Sequence, residues 1–422
     1  MKEDFLHYVW KFQKFEIAQL TTTTNELLTI SNAGQHNANS GPDFFNARIT
    51  IGNQQWAGNV ELHIKASDWY VHQHEKDVAY DSVILHVVWE YDADIFRRDG
   101  TTIPTIVLKE IVLPEATSNY QNLFTKEYQF ITCEQSIATV SEFTLSNWIE
   151  RLYFERLEKR SLAINREVET LQYDWEALLF RMLAKGFGLQ VNGEAFWSMA
   201  SSLDFSIVRK CKSSFQLEAL LFGQASLLET EMEDKYYLAL QREYRYLQKK
   251  FGVSNAHVIP ANYFRLRPPN FPTIRLSQLA GLYHNSSHLF SEVMAARNLE
   301  RLYVLFDCRA SEYWETHFNF QVVSKKKSKQ LTKKFIDLLL INVVLPVKFC
   351  YASYQGQDVS EEIISLASAM PSEENTILTK FKNIGIRSNT ALESQGLLEL
   401  KKNYCDPIRC LHCAIGTAIL KN

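Results

Sequence analysis

Glycine and proline are scarce, 15 and 10 in 422 residues, too few for a collagen-like or linker-rich chain. No run of about 18 apolar residues is present. The apolar stretch around Ile336–Val347 is short and carries Asp337, so no membrane segment is expected. Neither sign of charge dominates, with 45 Lys and Arg against 48 Asp and Glu and a net charge of −3. That balance excludes an overall basic field, so any nucleic-acid surface must be local. The opening residues, MKEDFLHYVWKF, lack the basic start and apolar centre of a secretory signal. Seven cysteines are an odd number, and Cys133, Cys211, Cys308 and Cys350 are scattered. They do not form a disulfide framework, and a cytoplasmic protein is the expectation.

Hydrophobic residues make up 46% and charged residues 22%, ordinary globular usage that argues against disorder and coiled coil. The length predicts two or three domains. Periodicity divides the chain near residue 135. The expectation is an α+β protein, with a mixed-sheet domain over 1–135 and a mostly helical domain over 136–422.

In the first part, Glu3–Phe15 reads as an amphipathic helix with Phe5, Val9, Trp10 and Phe12 on one side. Glu26–Asn32, Phe44–Ile51 and Gln55–Ile64 read as strands, with Gly52-Asn53 as the turn joining the last two. On the second strand Phe45, Ala47 and Ile49 share a face. Lys65–Asp81 is polar and reads as helix or loop. Ser82–Tyr91 is almost wholly apolar and predicts a buried central strand, and Thr105–Leu108 a short further one. In the second part, Ser141–Arg166, Trp175–Gly186, Phe215–Phe251, Leu276–Ala296 and Lys329–Phe349 show helical spacing, as do Ile377–Gly385 and Ala391–Tyr404. Gly223 lies in a core helix and permits close packing. The basic run Lys325–Lys334 reads as the solvated start of a helix, with a phosphate-contacting patch as the sharper reading.

The stretch from residue 40 to 65 carries the chemistry. Asp43 stands at the mouth of the second strand, after Asn37, Asn39 and Ser40, which are expected to shape its turn. Glu61 and His63 are two apart on the third strand and so share a face. A hairpin between these strands lets Asp43 and Glu61 meet. Two carboxylates at one sheet edge are costly unless a cation neutralises them. Oxygen donors of this kind suit Mg²⁺ or Mn²⁺.

Pro42-Asp43, a 17-residue gap and Glu61-x-His63 resemble the PD-(D/E)XK phosphodiesterase signature, and the order helix, three strands, helix, strand is similar to the core of that superfamily. The resemblance implies a metal-dependent nuclease, with Asp43 and Glu61 holding the metal and nucleic acid as the partner. His63 stands where lysine is usual, and Lys65, two residues on, is the candidate for the missing amine. A glutamate from the first helix in such proteins corresponds to Glu3 or Glu16. Along its whole length the chain also resembles an uncharacterised bacterial family of unknown function, through SGPDFFNARI, GNVELHIKASDW, HQHEKDVAYDSVILHVVWE, LEALLFGQASLL, RPPNFPTIRLSQLA and CxxxxCLHCAIG. That resemblance implies no activity.

Two rival readings stay open. One is a catalytically inactive nucleic-acid-binding or scaffold protein that keeps the fold. The other is a metal hydrolase with a non-nucleic substrate, built on the cluster His63, His72, His74 and His86 with Asp68, Asp77 and Asp81 interleaved, His72 and His74 being the candidate ligands, since imidazoles favour Zn²⁺, Mn²⁺ or Fe²⁺. His72 and His74 face together only if their segment is extended; on a helix they point apart. His86, inside the apolar strand, reads as a hydrogen-bonded core histidine.

Cys405-x4-Cys410-x2-Cys413 has metal-ligand spacing, with Cys133 as fourth ligand and His412 or Cys350 as alternatives. Zinc is one expected occupant; one upstream cysteine plus three near the C-terminus also resembles the iron–sulfur staple of some RecB-type exonucleases, which implies an iron–sulfur cluster as the other. Three reduced thiols in a terminal helix or turn are the plain alternative. Arg265, Arg267 and Arg275 flank the proline-fixed segment Pro268–Pro272 and are candidates for phosphate contact. The plainer reading is an ordered loop capping the helix that follows. His284 and His288, four apart, read as surface histidines.

Overall fold

The computed structural model describes residues 2–37, 40–125 and 130–421. Asn39 lies outside them. The chain divides into two compact units, each considered by itself. One comprises Met1–Trp148, Thr379–Ile386 and Glu399–Asn422, the other Ile149–Leu378 and Arg387–Leu398. The architecture is α+β, a mixed sheet followed by a mostly helical region.

The first unit begins with α1, Glu3–Lys11, whose acidic first turn and basic last turn suit the helix dipole. It buries Phe5, Leu6, Val9 and Trp10, each stabilising by about 1.5–3 kcal/mol for the larger side chains. The helix stops short of the expected Phe15 because the backbone of Gln13 turns left-handed, at φ 47°.

Six strands follow: β1 Leu28–Asn32, β2 Gln35–His36, β3 Phe44–Ile51, β4 Gln54–Lys65, β5 Val83–Glu90 and β6 Thr105–Val107. The sheet runs β1-β3-β4-β5-β6, with β2 paired to β3. β3 is antiparallel to β1 and β4, whereas β4, β5 and β6 are mutually parallel. Connection length explains the difference. Gly52-Asn53 reverses the chain in two residues, with Ile51 opposite Gln54. The passage from β4 to β5 runs through the short helix α2, Asp68–Val71, and can return the chain parallel. β5 has a partner on both sides and is buried from Val83 to Val88.

The even-numbered residues Val60 and Leu62 of β4 join the main core with α1, Phe44, Ala47, Ile49, Leu85 and Val87. A smaller cluster, with Trp69, Val83 and Val88, lies apart from it. Phe44, rather than Phe45, joins Ala47 and Ile49 in the core. The register shifts between Phe44 and Ala47, and Asn46 adopts φ 59°; a bulge there flips the alternation.

Two further helices complete the description of this end of the chain, α3 (Pro114–Thr125) and α4 (Glu142–Thr170). The C-terminal helix Ala414–Lys421 packs on α3, and its Leu420 carbonyl accepts hydrogen bonds from the Tyr8 hydroxyl at 3.1 Å and the Asn119 amide at 3.3 Å.

In the second unit, the helix expected over Phe215–Phe251 is two, Ser214–Gln224 and Lys235–Phe251. Ser226 turns left-handed at φ 58°, and Asp234 caps the second helix by accepting the N–H groups of Tyr236 and Tyr237, both at 2.9 Å. Leu276–Ala296 is likewise two helices, Pro272–Asn285 and Leu289–Ala295, the first opened by a proline at its first position. A small hairpin, His317–Asn319 with Val322–Val323, was not expected. The helix Lys333–Tyr354 is long and apolar enough to cross a membrane, and 78% of its most apolar window is buried within the protein, as in a core helix. The basic run before it is extended rather than helical. Lys325 and Lys327 are exposed, while Lys329 is buried against the Phe318 ring at 4.1 Å.

Candidate metal centre

Asp43 is aimed by the turn ahead of it. The Asn37 amide donates to the carbonyls of Ser40 and Pro42, both at 3.1 Å, and Gly41 takes φ 97°. From there the backbone N–H of Asp43 donates to Glu61 Oε2 at 3.0 Å, and the N–H of Leu62 donates to Asp43 Oδ2 at 2.9 Å. The two carboxylates therefore converge across the β3–β4 hairpin, Glu61 being buried.

The histidines gather on the same residues. His63, at the end of β4, places Nδ1 2.8 Å from His86 Nε2 and Nε2 3.1 Å from His72 Nδ1. His74 Nε2 lies 3.3 Å, and His63 Nε2 3.7 Å, from Glu61 Oε1. Ring nitrogens of His63, His72 and His74 all fall within 4.8 Å of one another, with His63 and His74 buried and His72 exposed. Their segment is neither a strand nor a single helix. His72 ends α2, Gln73 takes the left-handed φ 60°, and His74 starts a tight turn of 3₁₀ helix. That one left-handed residue brings the two imidazoles to 5.4 Å between ring centres. Trp69 packs against His74 and His86, and Tyr80 stacks on His74 at 3.7 Å.

Electrostatics follow from burial. Burial, and then the Asp43 charge, hold the Glu61 carboxyl far above the usual carboxylate range. Burial, reinforced by the neighbouring histidines, pushes His63 down to about 2, and burial pushes His86 down to about 3. Both are neutral imidazoles at neutral pH. Burial also lowers His74 and raises Tyr80 to about 12, with the Glu61 charge adding to it.

From α1, His7 Nε2 reaches Asp43 Oδ2 at 3.3 Å. Burial disfavours its cation, but the hydrogen bond and charge of Asp43 more than offset this and raise its pKa. Of the two helix glutamates considered, Glu3 faces the site. It is raised by burial and by Asp43, and its charge acts on Glu61.

Lys65 continues the face of Glu61 and His63 but is exposed, its N–H donating to Asp68. His86 is a core histidine, as expected, with His63 as its partner. His7 was missed. Nothing in the spacing of α1 marks it, because its role arises from where the helix lies against the hairpin.

Arg265, Arg267 and Arg275 belong to the second unit. Arg275 is buried, donates to Gln278 at 2.9 Å and Asn270 at 2.6 Å, and lies 3.5 Å over the Phe335 ring. Its guanidinium is committed to holding the start of the helix Pro272–Asn285. Arg265 and Arg267 are exposed. His284 and His288 are exposed on different segments. Cys133, Cys405, Cys410 and Cys413 all lie in the first unit, whereas Cys350 lies in the second and bonds Asn165 at 2.9 Å.

The chain belongs to a family described as proteins of unknown function, DUF2851, which it matches over residues 3–376. No curated protein and no solved structure matches it.

Proposed function

We propose that the chain is a divalent-metal-dependent phosphodiesterase acting on nucleic acid. One observation carries the reading: Asp43 and Glu61, from adjacent strands, converge beside three imidazoles whose nitrogens lie within 4.8 Å of one another. The donors fit a cation. His74 Nε2 is buried and makes no hydrogen bond although Glu61 is 3.3 Å away, so its lone pair is available. Glu61 is also a buried carboxyl that ionises only against an opposing charge. The imidazole content moves the expected ion from Mg²⁺ toward Mn²⁺, Zn²⁺ or Fe²⁺. When bound, such an ion lowers the pKa of a coordinated water and stabilises charge developing on phosphorus.

The side chains have separable tasks. Glu61, His63, His72 and His74 would hold the ion. Asp43 fixes the hairpin end and is held in turn by His7. With His63 Nδ1 donating to His86 Nε2, 2.8 Å away, His63 Nε2 would be left to face the site, and His86 would be the group that sets this tautomer. Lys65 supplies an exposed cation beyond His63, where phosphate can be met.

The experiment is hydrolysis of labelled DNA and RNA with Mn²⁺, Zn²⁺ or Mg²⁺, comparing wild type with Glu61→Gln. Metal-dependent cleavage that the variant loses, with its circular dichroism unchanged, supports the proposal. Absence of cleavage with every metal sinks it. The three imidazoles favour one second reading, a metal hydrolase with a non-nucleic substrate. It predicts turnover of simple esters or phosphomonoesters that His72→Ala abolishes, with nucleic acid left intact.

A further inference from the structure

The helix Lys235–Phe251 of the second unit sorts its residues by face. Tyr237, Leu240, Tyr244 and Leu247, spaced by three and four, are buried. On the opposite side Lys235, Arg242, Arg245, Tyr246, Lys249 and Lys250 share one face, three, four or seven residues apart, and all but Lys235 and Tyr246 lie in its C-terminal half as exposed cations. The one acid of the helix, Glu243, is half-buried and accepts from the Gln216 amide at 2.9 Å. Among the described residues, none of the five cations forms an ion pair. In a chain of net charge −3, this is a local positive field that the protein itself leaves unanswered.

Helix polarity accounts for only part of it. Lys249 and Lys250 stand in the last turn and suit its negative end. Arg242 and Arg245 lie further back, beyond the reach of that effect, and like charges a turn apart repel.

Aromatic rings are interleaved with the charge. Tyr246 is 53% exposed, with the Lys250 ammonium 5.5 Å from its ring centre. The Phe251 ring meets Lys250 at 5.1 Å and Lys210 at 6.0 Å. Lys210 carries the face across to residues 205–212. There Arg209 and Lys212 line a cavity of about 450 Å³ with Phe205, Tyr283 and Phe290. Its one carboxylate, Glu176, is tied to Arg209 at 3.2 Å. The Tyr283 hydroxyl is buried and makes no hydrogen bond. Such a volume falls within the range of small-ligand sites, about 300–1,000 Å³, and accommodates a flat ring.

We propose that this cationic face, from Arg242 to the cavity beside Arg209 and Lys212, binds single-stranded nucleic acid. Phosphates meet the arginines and lysines, Tyr246 offers a ring for a base to stack on, and the cavity takes an unstacked base beside Phe205 and Phe290. A duplex keeps its bases inside and reaches only the charges. An anionic membrane would meet the same charges but has no flat ring for the cavity. The face uses no residue of the candidate metal centre and shares with the proposed activity only the class of partner.

The test is fluorescence anisotropy of the full chain in EDTA, which withholds metal and so stops metal-dependent cleavage. The probes are labelled single-stranded DNA of about 20 nucleotides, RNA of the same sequence and the DNA duplex. Salt-dependent binding is expected, tighter for a single strand than for the duplex; either sugar supports the face, and the tighter complex names it. Arg242→Gln, Arg245→Gln and Lys249→Gln combined should weaken binding at least ~10-fold and lower the slope of log K against log salt by about 2. Lys325→Gln, Lys326→Gln and Lys327→Gln, an equal loss of exposed charge elsewhere in the unit, should leave both unchanged. Tyr246→Ala should weaken single-strand binding about 10-fold and duplex binding hardly at all. That variant carries the test should the triple variant fail to fold. No binding, binding that the arginine and lysine variant retains in full, duplex bound as tightly as single strand, or capture by phosphatidylserine vesicles in place of nucleic acid overturns the proposal. Binding without cleavage in any metal would sink the metal centre and leave this face standing.

Discussion

Asp43 and Glu61 are laced together through each other's strand. The N–H of Asp43 donates to the Glu61 carboxylate, and the N–H following Glu61 donates to the Asp43 carboxylate. Two acids 18 residues apart in sequence are thus fixed side by side by the chain itself. The spacing is built by backbone hydrogen bonds of one hairpin, so the site is preorganised by the same contacts that form the sheet.

Metal binding should release a proton. Burial and Asp43 keep Glu61 protonated near neutral pH, while His63 is already neutral and has none to lose. Calorimetric titration with Mn²⁺ or Zn²⁺ in buffers of differing ionisation enthalpy should show release of about one proton per ion at pH 7. Glu61→Gln should show almost none. Equal release by both proteins would contradict the assignment of the proton to Glu61.

The metal-free protein should lose stability in acid. His63 and His86 have folded pKa values of about 2 and about 3, below the ordinary imidazole value. Their contribution is present above pH ~6.5 and is lost as pH falls below it, because the unfolded chain then binds protons the folded site refuses. Well below pH 6.5 each imidazole costs about 1.4 kcal/mol per pH unit. Glu61, protonated in the folded site and ionised once unfolded, gives the opposite slope over the same range, so a difference between two proteins isolates the imidazole. In urea unfolding between about pH 7 and pH 5, His86→Phe should lower the pH dependence seen in wild type by about 1.4 kcal/mol per pH unit.

His86→Phe should also weaken metal binding without touching the ion. The ring volume is kept, but the nitrogen that orients His63 is lost. A fall of about 10–100-fold in metal affinity is expected. An unchanged dissociation constant would mean that His63 needs no partner to present Nε2.

Gly223→Ala should destabilise the helical unit. Its Cβ would lie 2.1–2.3 Å from ring carbons of Tyr244, and that ring is anchored by its hydroxyl donating to Gln224 at 2.6 Å. A loss of about 1–3 kcal/mol follows from forcing the two helices apart. Thermal unfolding at fixed pH measures it.

Trp314→Phe should do comparable damage for a different reason. The buried Glu218 accepts from the Trp314 indole at 2.6 Å, from Ser277 at 2.8 Å and from Tyr236 at 3.0 Å. Removing one donor leaves a buried carboxylate short of a partner, at about 1–3 kcal/mol. Adding Glu218→Gln should recover part of the loss; if the double variant is less stable than Trp314→Phe, the carboxylate's charge is not the source of the penalty.

The sequence by itself determined the α+β class, the β3–β4 hairpin to within one residue at the ends of its second strand, and the buried character of β5. Each rests on local physics, namely alternation, a two-residue glycine turn and an unbroken valine-rich run. It also determined that Glu61 and His63 share a face. Only the tertiary structure decided that His7 reaches Asp43, that a left-handed Gln73 turns His72 and His74 together, and that Phe44 displaces Phe45 at a bulge. It also decided that long helical patterns break at Ser226 and at Ser286. Periodicity reports which side of an element is apolar. A helix, once docked, determines which polar group on its flank meets a distant strand, and a single positive φ can redirect a segment without altering its composition. Such features arise from contacts between elements, and no local pattern in the chain encodes them.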